Sequence, residues 1–383
     1  MESHRRDFLR FLAASPLAKA ADKPAIDDIL SIMDLDEAAK AVLPPAHYGY
    51  LASGVDDDVT LRANREAFQR ITVRPRRLVD IRKVDTRVEL FGKEWSLPLL
   101  LAPCGSQKAF HPEGEVAAAR GANSRHVLQI LSSITSAPIE DVAAAAGGTI
   151  WYQLYATSRW EITQNLVRHA EAAGCPVIAL TVDRPAPRNS ETQKRMSRLD
   201  SRPCATCHPP GKFYERKPMF KGIDMSNVTQ NNPGMTWEFV QRLRDFTKAR
   251  LLLKGIEVHE DAELAVKAGI DGIIVSNHGG RAEDSGRATI DSLPEVVAAV
   301  NGKMPVLVDG GIRRGSDIYK ALALGAKAVC VGRPYLWGLS AYGTPGVEKA
   351  IDIFRAELES FMGQCGTPTL ASITRASVEV RRG

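Results

Sequence analysis

The chain has 383 residues, of which 44% are hydrophobic and 25% charged, an ordinary globular composition long enough for one barrel-sized core or for two smaller domains. Its formal charge of +5 is mild, and its Lys and Arg form no basic stripe interleaved with aromatics; this argues against nucleic acid and suits small anionic molecules. No apolar run reaches the ~18 residues that a membrane-spanning helix needs.

The N-terminal stretch His4-Arg5-Arg6-Asp7-Phe8-Leu9-Arg10-Phe11-Leu12 reads as a twin-arginine type of export signal. A short apolar run over 13–17 and an Ala18-Lys19-Ala20 cleavage site complete the pattern, with a basic amphipathic helix as the plainer alternative. Residues 1–27 are therefore set aside as signal and linker, 28–383 are taken as the folded unit, and a periplasmic or otherwise exported location is expected. Apolar residues recur at helical spacing over 29–43 and stop at Pro44-Pro45. The aromatic-bearing stretch 48–54 reads as a turn, and 58–70 reads as helical again.

From Pro98 onward short apolar runs alternate with Ala-, Glu- and Arg-rich helical stretches. The runs are 99–103, 128–132, 150–155, 177–183, 251–255, 273–276, 306–310 and 328–332. Runs without polar alternation are strands buried on both faces, hence a parallel sheet, and eight such units close most naturally into a (β/α)8 TIM barrel. The rhythm breaks once, over 184–250, where only 237–248 shows clear structure and which reads as a lid loop after strand four.

Chemistry collects where these strands end. Strand six runs into Ser276-Asn277-His278-Gly279-Gly280-Arg281, which sets a proton acceptor three residues from a carboxylate-binding guanidinium. Strands seven and eight run into Asp309-Gly310-Gly311-Ile312-Arg313-Arg314-Gly315 and Gly332-Arg333-Pro334, Gly/Arg turns that expose backbone N–H groups to an anion such as phosphate. Lys254 closes strand five after three leucines and should face a ligand, since an unpaired buried charge is costly. Gln153 and Tyr155 fall on one side of strand three, and Thr181 and Asp183 on one side of strand four.

Taken together, S-N-H-G-G-R, V-D-G-G-I-R-R-G, V-G-R-P, Y-Q-L-Y and L-T-V-D make the chain resemble the FMN-dependent 2-hydroxy acid oxidase and dehydrogenase family, from about Leu35 to the C-terminus. The resemblance implies that His278 is the base and that Asp183 orients it. It implies that Arg281 and Tyr50 hold the substrate carboxylate, with Tyr155 near the hydroxyl. It assigns Ser132, Gln153, Thr181, Lys254 and Ser276 to the isoalloxazine, with Ala102, Pro103 and Cys104 lining it. Asp309, Gly311, Arg313, Gly332 and Arg333 would hold the ribityl phosphate. Three positions depart from the family pattern. Ser190 stands where a second carboxylate-binding Arg is usual, with Arg188 as a possible substitute; Ile134 replaces an aromatic; and Gly105 replaces an Ala, a change that goes with dehydrogenase behaviour.

The resemblance thus implies FMN-dependent oxidation of an L-2-hydroxy acid to the 2-oxo acid by a homo-oligomer, with a quinone or cytochrome as acceptor. A peroxide-forming oxidase and a flavin electron-transfer protein are the alternatives. Of the six cysteines, Cys204 and Cys207 stand apart. Cys204-Ala205-Thr206-Cys207-His208 is the pattern for covalent c-type haem attachment, and it equally suits a disulfide or half of a zinc site.

Overall fold

The structure is a computed structural model that describes residues 23–201, 213–228 and 232–381. The export-signal stretch and Cys204, Cys207 and His208 lie outside the described residues. Among the described residues no helix is long and apolar enough to cross a membrane.

Eight parallel strands close into a barrel, as the sequence rhythm predicts. They are β1 (Leu99–Leu101), β2 (Leu128–Ser132), β3 (Trp151–Leu154), β4 (Val177–Thr181), β5 (Arg250–Lys254), β6 (Gly272–Val275), β7 (Val306–Asp309) and β8 (Ala328–Val331). The register Thr181↔Lys254 and Leu100↔Cys330 brings the strand ends level. Alternation divides the apolar residues into two cores. Leu100, Ile130, Ala179, Leu252, Ile274 and Leu307 fill the barrel, whereas their neighbours Leu101, Leu131, Leu180, Leu253, Ile273 and Val308 pack outward under the helices. A hairpin of Val88–Leu90 and Lys93–Trp95, unforeseen from the sequence, adds Val88, Leu90 and Trp95 to the inner core. A solid interior leaves only the C-terminal mouth for chemistry.

Helices before the barrel approach that mouth. Ile32–Val42 starts at a capping box, in which Ser31 accepts from the Asp34 N–H and Asp34 accepts from the Ser31 N–H at 2.8 Å. The stretch 48–54 is not a turn: Pro45–Ala52 is a helix. Pro44-Pro45 both ends the first helix and starts the next, because Pro suits the first turn of a helix, where its missing N–H has no partner to lose.

Within 184–250, the structured stretch read at 237–248 is the helix Trp237–Phe246, which returns the chain to β5 at Arg250. Helix Glu191–Ser197 packs on Pro45–Ala52, with Met196 so close to Gly49 that a Cβ there would come within 2.8 Å of it. Met219 and Phe220 are buried in the outer core, and Lys217 donates to the Ser106 hydroxyl at 2.5 Å.

Past β8, helices Arg333–Tyr342 and Thr344–Cys365 cross at glycines. A Cβ on Gly338 would lie 2.1 Å from the carbonyl oxygen of Gly346, which is backbone and cannot yield. Gly338→Ala is expected to cost roughly 1–3 kcal/mol by overpacking, read as a lowered midpoint in thermal or urea unfolding.

Candidate active site

The loop after β6 is built around an unusual backbone. His278 has φ 59°, and Gly279 and Gly280 follow at 67° and 76°. Glycine is required at 280, where a Cβ would meet the Leu61 backbone at 2.6 Å. A left-handed histidine is costly, and such strain gathers at functional sites. Here the His278 N–H donates to the Ser276 hydroxyl at 3.0 Å, which turns the imidazole back over the barrel.

That imidazole sits between two partners. Its Nδ1 lies 2.9 Å from Asp183 Oδ1 and its Nε2 lies 3.1 Å from the Tyr155 hydroxyl. The carboxylate fixes the tautomer, with the proton on Nδ1 and the lone pair on Nε2. Burial pulls the imidazole pKa down to about 4; Asp183 opposes this, and the Lys254 and Arg184 charges add to it. Burial alone would raise the carboxyl pKa of Asp183, but His278 and Lys254 hold it below the usual value, so it stays ionised. Burial lifts the Tyr155 phenol to about 12, leaving it a donor at neutral pH. A neutral imidazole whose Nε2 lone pair is met by the Tyr155 hydroxyl, with a fixed anion behind it, can accept a proton when the substrate takes that hydroxyl's hydrogen bond.

Arg281 lies beside this group, only 6% exposed. Its Cζ stacks 4.0 Å over the Tyr50 ring, and its Nη1 donates to the carbonyls of Tyr50 and Ser53. Its Nε and Nη2 are buried with no acceptor. Two orphan donors in a fork are the complement of a carboxylate.

A polar layer runs along the cavity wall. Lys254, 3% exposed, donates to Ser276 at 2.6 Å and sits 3.2 Å from Asp309 and 3.8 Å from Asp183. Burial works against its charge, but the two carboxylates win and hold its pKa above the usual lysine value. Ser132 donates to Gln153 Oε1 at 2.9 Å, and Gln153 Nε2 donates to Thr181 at 2.8 Å. Gln153, Thr181 and Ser276, read as contacts of a bound ring, each close a hydrogen bond with a neighbouring strand beside Ser132 and Lys254.

The remaining expected residues line one cavity of ≈ 960 Å³: Tyr50, Ala102, Pro103, Cys104, Ser132, Tyr155, Lys254, His278, Arg281, Asp309, Gly311, Arg313, Gly332 and Arg333. At one end Arg313 lies 4.7 Å over the Trp337 ring, while Arg333 donates to the carbonyls of Leu51, Ser53 and Gly279. Burial brings both guanidinium pKa values down to about 10, with Arg65 adding to the shift at Arg313 and Arg313 to that at Arg333. Two like charges buried together invite a dianion. Asp309, expected at this end, is paired with Lys254 and Ser276.

The sequence reading missed one residue. Arg184 lines the same cavity, and its Nε is buried without an acceptor. Its position directly after Asp183 was the available signal. Arg188, weighed as a substitute clamp, also lines the cavity, whereas Ser190 lies there without a charge. Among the cysteines with described positions, Cys104 lines the cavity, and Cys175, Cys330 and Cys365 are buried free thiols.

Comparison with known proteins agrees with this geometry. A family model described as FMN-dependent dehydrogenase matches residues 39–380. The chain is 40% identical to the peroxisomal (S)-2-hydroxyacid oxidase GLO3 of Arabidopsis thaliana over 92% of its own length and 97% of the relative's. It is likewise 40% identical to glycolate oxidase 1 of Oryza sativa subsp. indica, covering 92% and 96% of the two chains. A crystal structure of mandelate oxidase superposes with a TM-score of 0.82 at 38% identity, over 93% of this chain and 99% of that one.

Proposed function

The chain belongs to the FMN-dependent dehydrogenase family, and from that premise we propose that it oxidises an L-2-hydroxy acid to the 2-oxo acid with FMN bound at the barrel mouth. The observation that carries this reading is the Asp183–His278–Tyr155 chain set beside the two orphan donors of Arg281.

The cavity residues fit the cofactor. Arg313 and Arg333 would take the phosphate, since a dianion relieves their mutual repulsion. Lys254 would face the ring, with Ala102, Pro103, Cys104 and Ser132 along the wall. When bound, the flavin supplies the sink for two electrons. Everything else is the work of side chains. Arg281, backed by Tyr50, grips the carboxylate and turns the hydroxyl-bearing carbon toward His278. Nε2 takes the substrate proton while the Tyr155 hydroxyl hydrogen-bonds the substrate oxygen. Asp183 stabilises the imidazolium that results, at no reorganisation cost, because it is already ionised and in contact.

Protonation of His278 before substrate arrives removes the base. Activity is therefore present above its pKa and lost as pH falls through it. The acid limb of kcat/KM is expected near pH 4, well below the 6.5 of a free imidazole. A pH profile across that range checks it, and a limb near 6.5 would count against the buried neutral base.

The acceptor has two readings. The relatives are named oxidases, which supports dioxygen and peroxide. Gly105 supports a quinone or cytochrome, with Cys204-Ala205-Thr206-Cys207-His208 as a haem site for the outlet and the twin-arginine stretch exporting the enzyme to the periplasm. The absorption spectrum of the purified full chain tests cofactor content: flavin bands are expected, and a Soret band would add haem. Anaerobic reduction with a 2-hydroxy acid followed by air then separates the acceptors, since fast reoxidation supports dioxygen and slow reoxidation, rescued by a quinone, supports the dehydrogenase. A flavin left oxidised by every 2-hydroxy acid would overturn the proposed reaction.

A further inference from the structure

Three guanidinium groups converge on the substrate side of the cavity: Arg184, Arg188 and Arg281. Among the described residues none of the three forms an ion pair, in contrast to Lys254, which has Asp309 and Asp183 beside it. Arg281 keeps two buried nitrogens without acceptors and Arg184 keeps one. Arg188 donates its Nη1 to the Arg281 carbonyl at 3.2 Å, so it stands close to both. Burial, then the charges of Arg281 and Arg184, brings the Arg188 guanidinium down to about 10. Lys194 and Arg198 continue the positive lining at the exposed rim, and Asp200 is the acid on that side.

One substrate carboxylate suffices for the fork of Arg281. It leaves Arg184, whose guanidinium follows directly on the residue that orients His278, facing the same space with a donor buried and unmet. A buried N–H without an acceptor is costly, and a ligand oxygen would meet it.

Resting on the reaction proposed above, we propose that the substrate is a 2-hydroxy dicarboxylic acid, with its distal carboxylate received by Arg184 and Arg188. The chemistry is that of the parent reaction: the carbon–hydrogen and oxygen–hydrogen bonds at carbon 2 are broken, one proton passes to His278 Nε2, two electrons and the other proton would reduce the flavin, and a 2-oxo dicarboxylate leaves.

The test uses the holoenzyme under anaerobic conditions. Flavin reduction is followed with (S)-malate and (S)-2-hydroxyglutarate against (S)-lactate and (S)-2-hydroxybutyrate. Binding of 2-oxoglutarate and 2-oxobutyrate is measured in parallel by perturbation of the flavin spectrum. The wild type is expected to favour the dicarboxylates in both readouts by about 10- to 100-fold, the worth of a charge-assisted contact. Arg184→Met should collapse that ratio toward unity, and Arg184→Lys should restore part of it. A wild type that prefers the monocarboxylates overturns the assignment, as does a ratio unchanged by both Arg184→Met and Arg188→Met. Monocarboxylate turnover without a dicarboxylate advantage sinks this inference alone, whereas failure of all four acids sinks the parent reaction with it.

Discussion

Replacing His278 with Gln is expected to slow flavin reduction by a 2-hydroxy acid about 10²–10⁴-fold, the usual worth of a positioned general base. Gln fills a similar volume and can still donate toward Asp183, so the neighbouring Lys254, Asp309 and Ser276 pairs should survive. The flavin spectrum and the binding of a 2-oxo acid should therefore change little while the rate collapses. Asp183→Asn should also cut the rate, for a different reason. An Asn cannot stabilise the imidazolium, and it can present its NH₂ to Nδ1, which favours the wrong tautomer. A His278→Gln enzyme that reduces its flavin within tenfold of the wild-type rate would remove His278 from the role of base.

Arg281→Met is expected to lower kcat/KM by about 30- to 3000-fold, corresponding to the roughly 2–5 kcal/mol lost when one partner of a buried charged hydrogen-bonded pair is truncated. Both the fork geometry and the charge matter. Arg281→Lys should recover only part of the loss, because an ammonium offers a point charge in place of two parallel donors. Steady-state kinetics with a fixed 2-hydroxy acid reads the effect. The unfolding midpoint must be read beside it, since Arg281 also ties the Tyr50 and Ser53 carbonyls into the site. A variant with an altered midpoint and an unchanged kcat/KM would make Arg281 a strut, with no part in holding the substrate.

Much of this molecule was legible in one dimension. The eight apolar runs without polar alternation could only be strands covered on both faces, and the barrel follows from their number and spacing. The turn at Ser276–Arg281 was readable because its two glycines carry positive φ, a requirement written in residue type. The helix Pro45–Ala52 was obscured because Pro44-Pro45 signals both an end and a beginning. Within 184–250 the helix Trp237–Phe246 was legible from its helical spacing, whereas the stretch before it only interrupts the barrel rhythm.

The amino-acid order by itself determined the barrel, the strand ends that carry chemistry, and the residue types of a proton acceptor, an anion fork and a phosphate grip. Those depend on local periodicity and on the conformational limits of individual residues. Only the tertiary structure decided that Lys254 is matched by Asp309 and Asp183, that Gln153 joins Ser132 to Thr181, and that Arg184 and Arg281 hold donors with nothing to meet. Charge compensation and hydrogen-bond satisfaction are set by partners that adjacent strands and loops bring together from distant parts of the chain, and no pattern along a single segment encodes them.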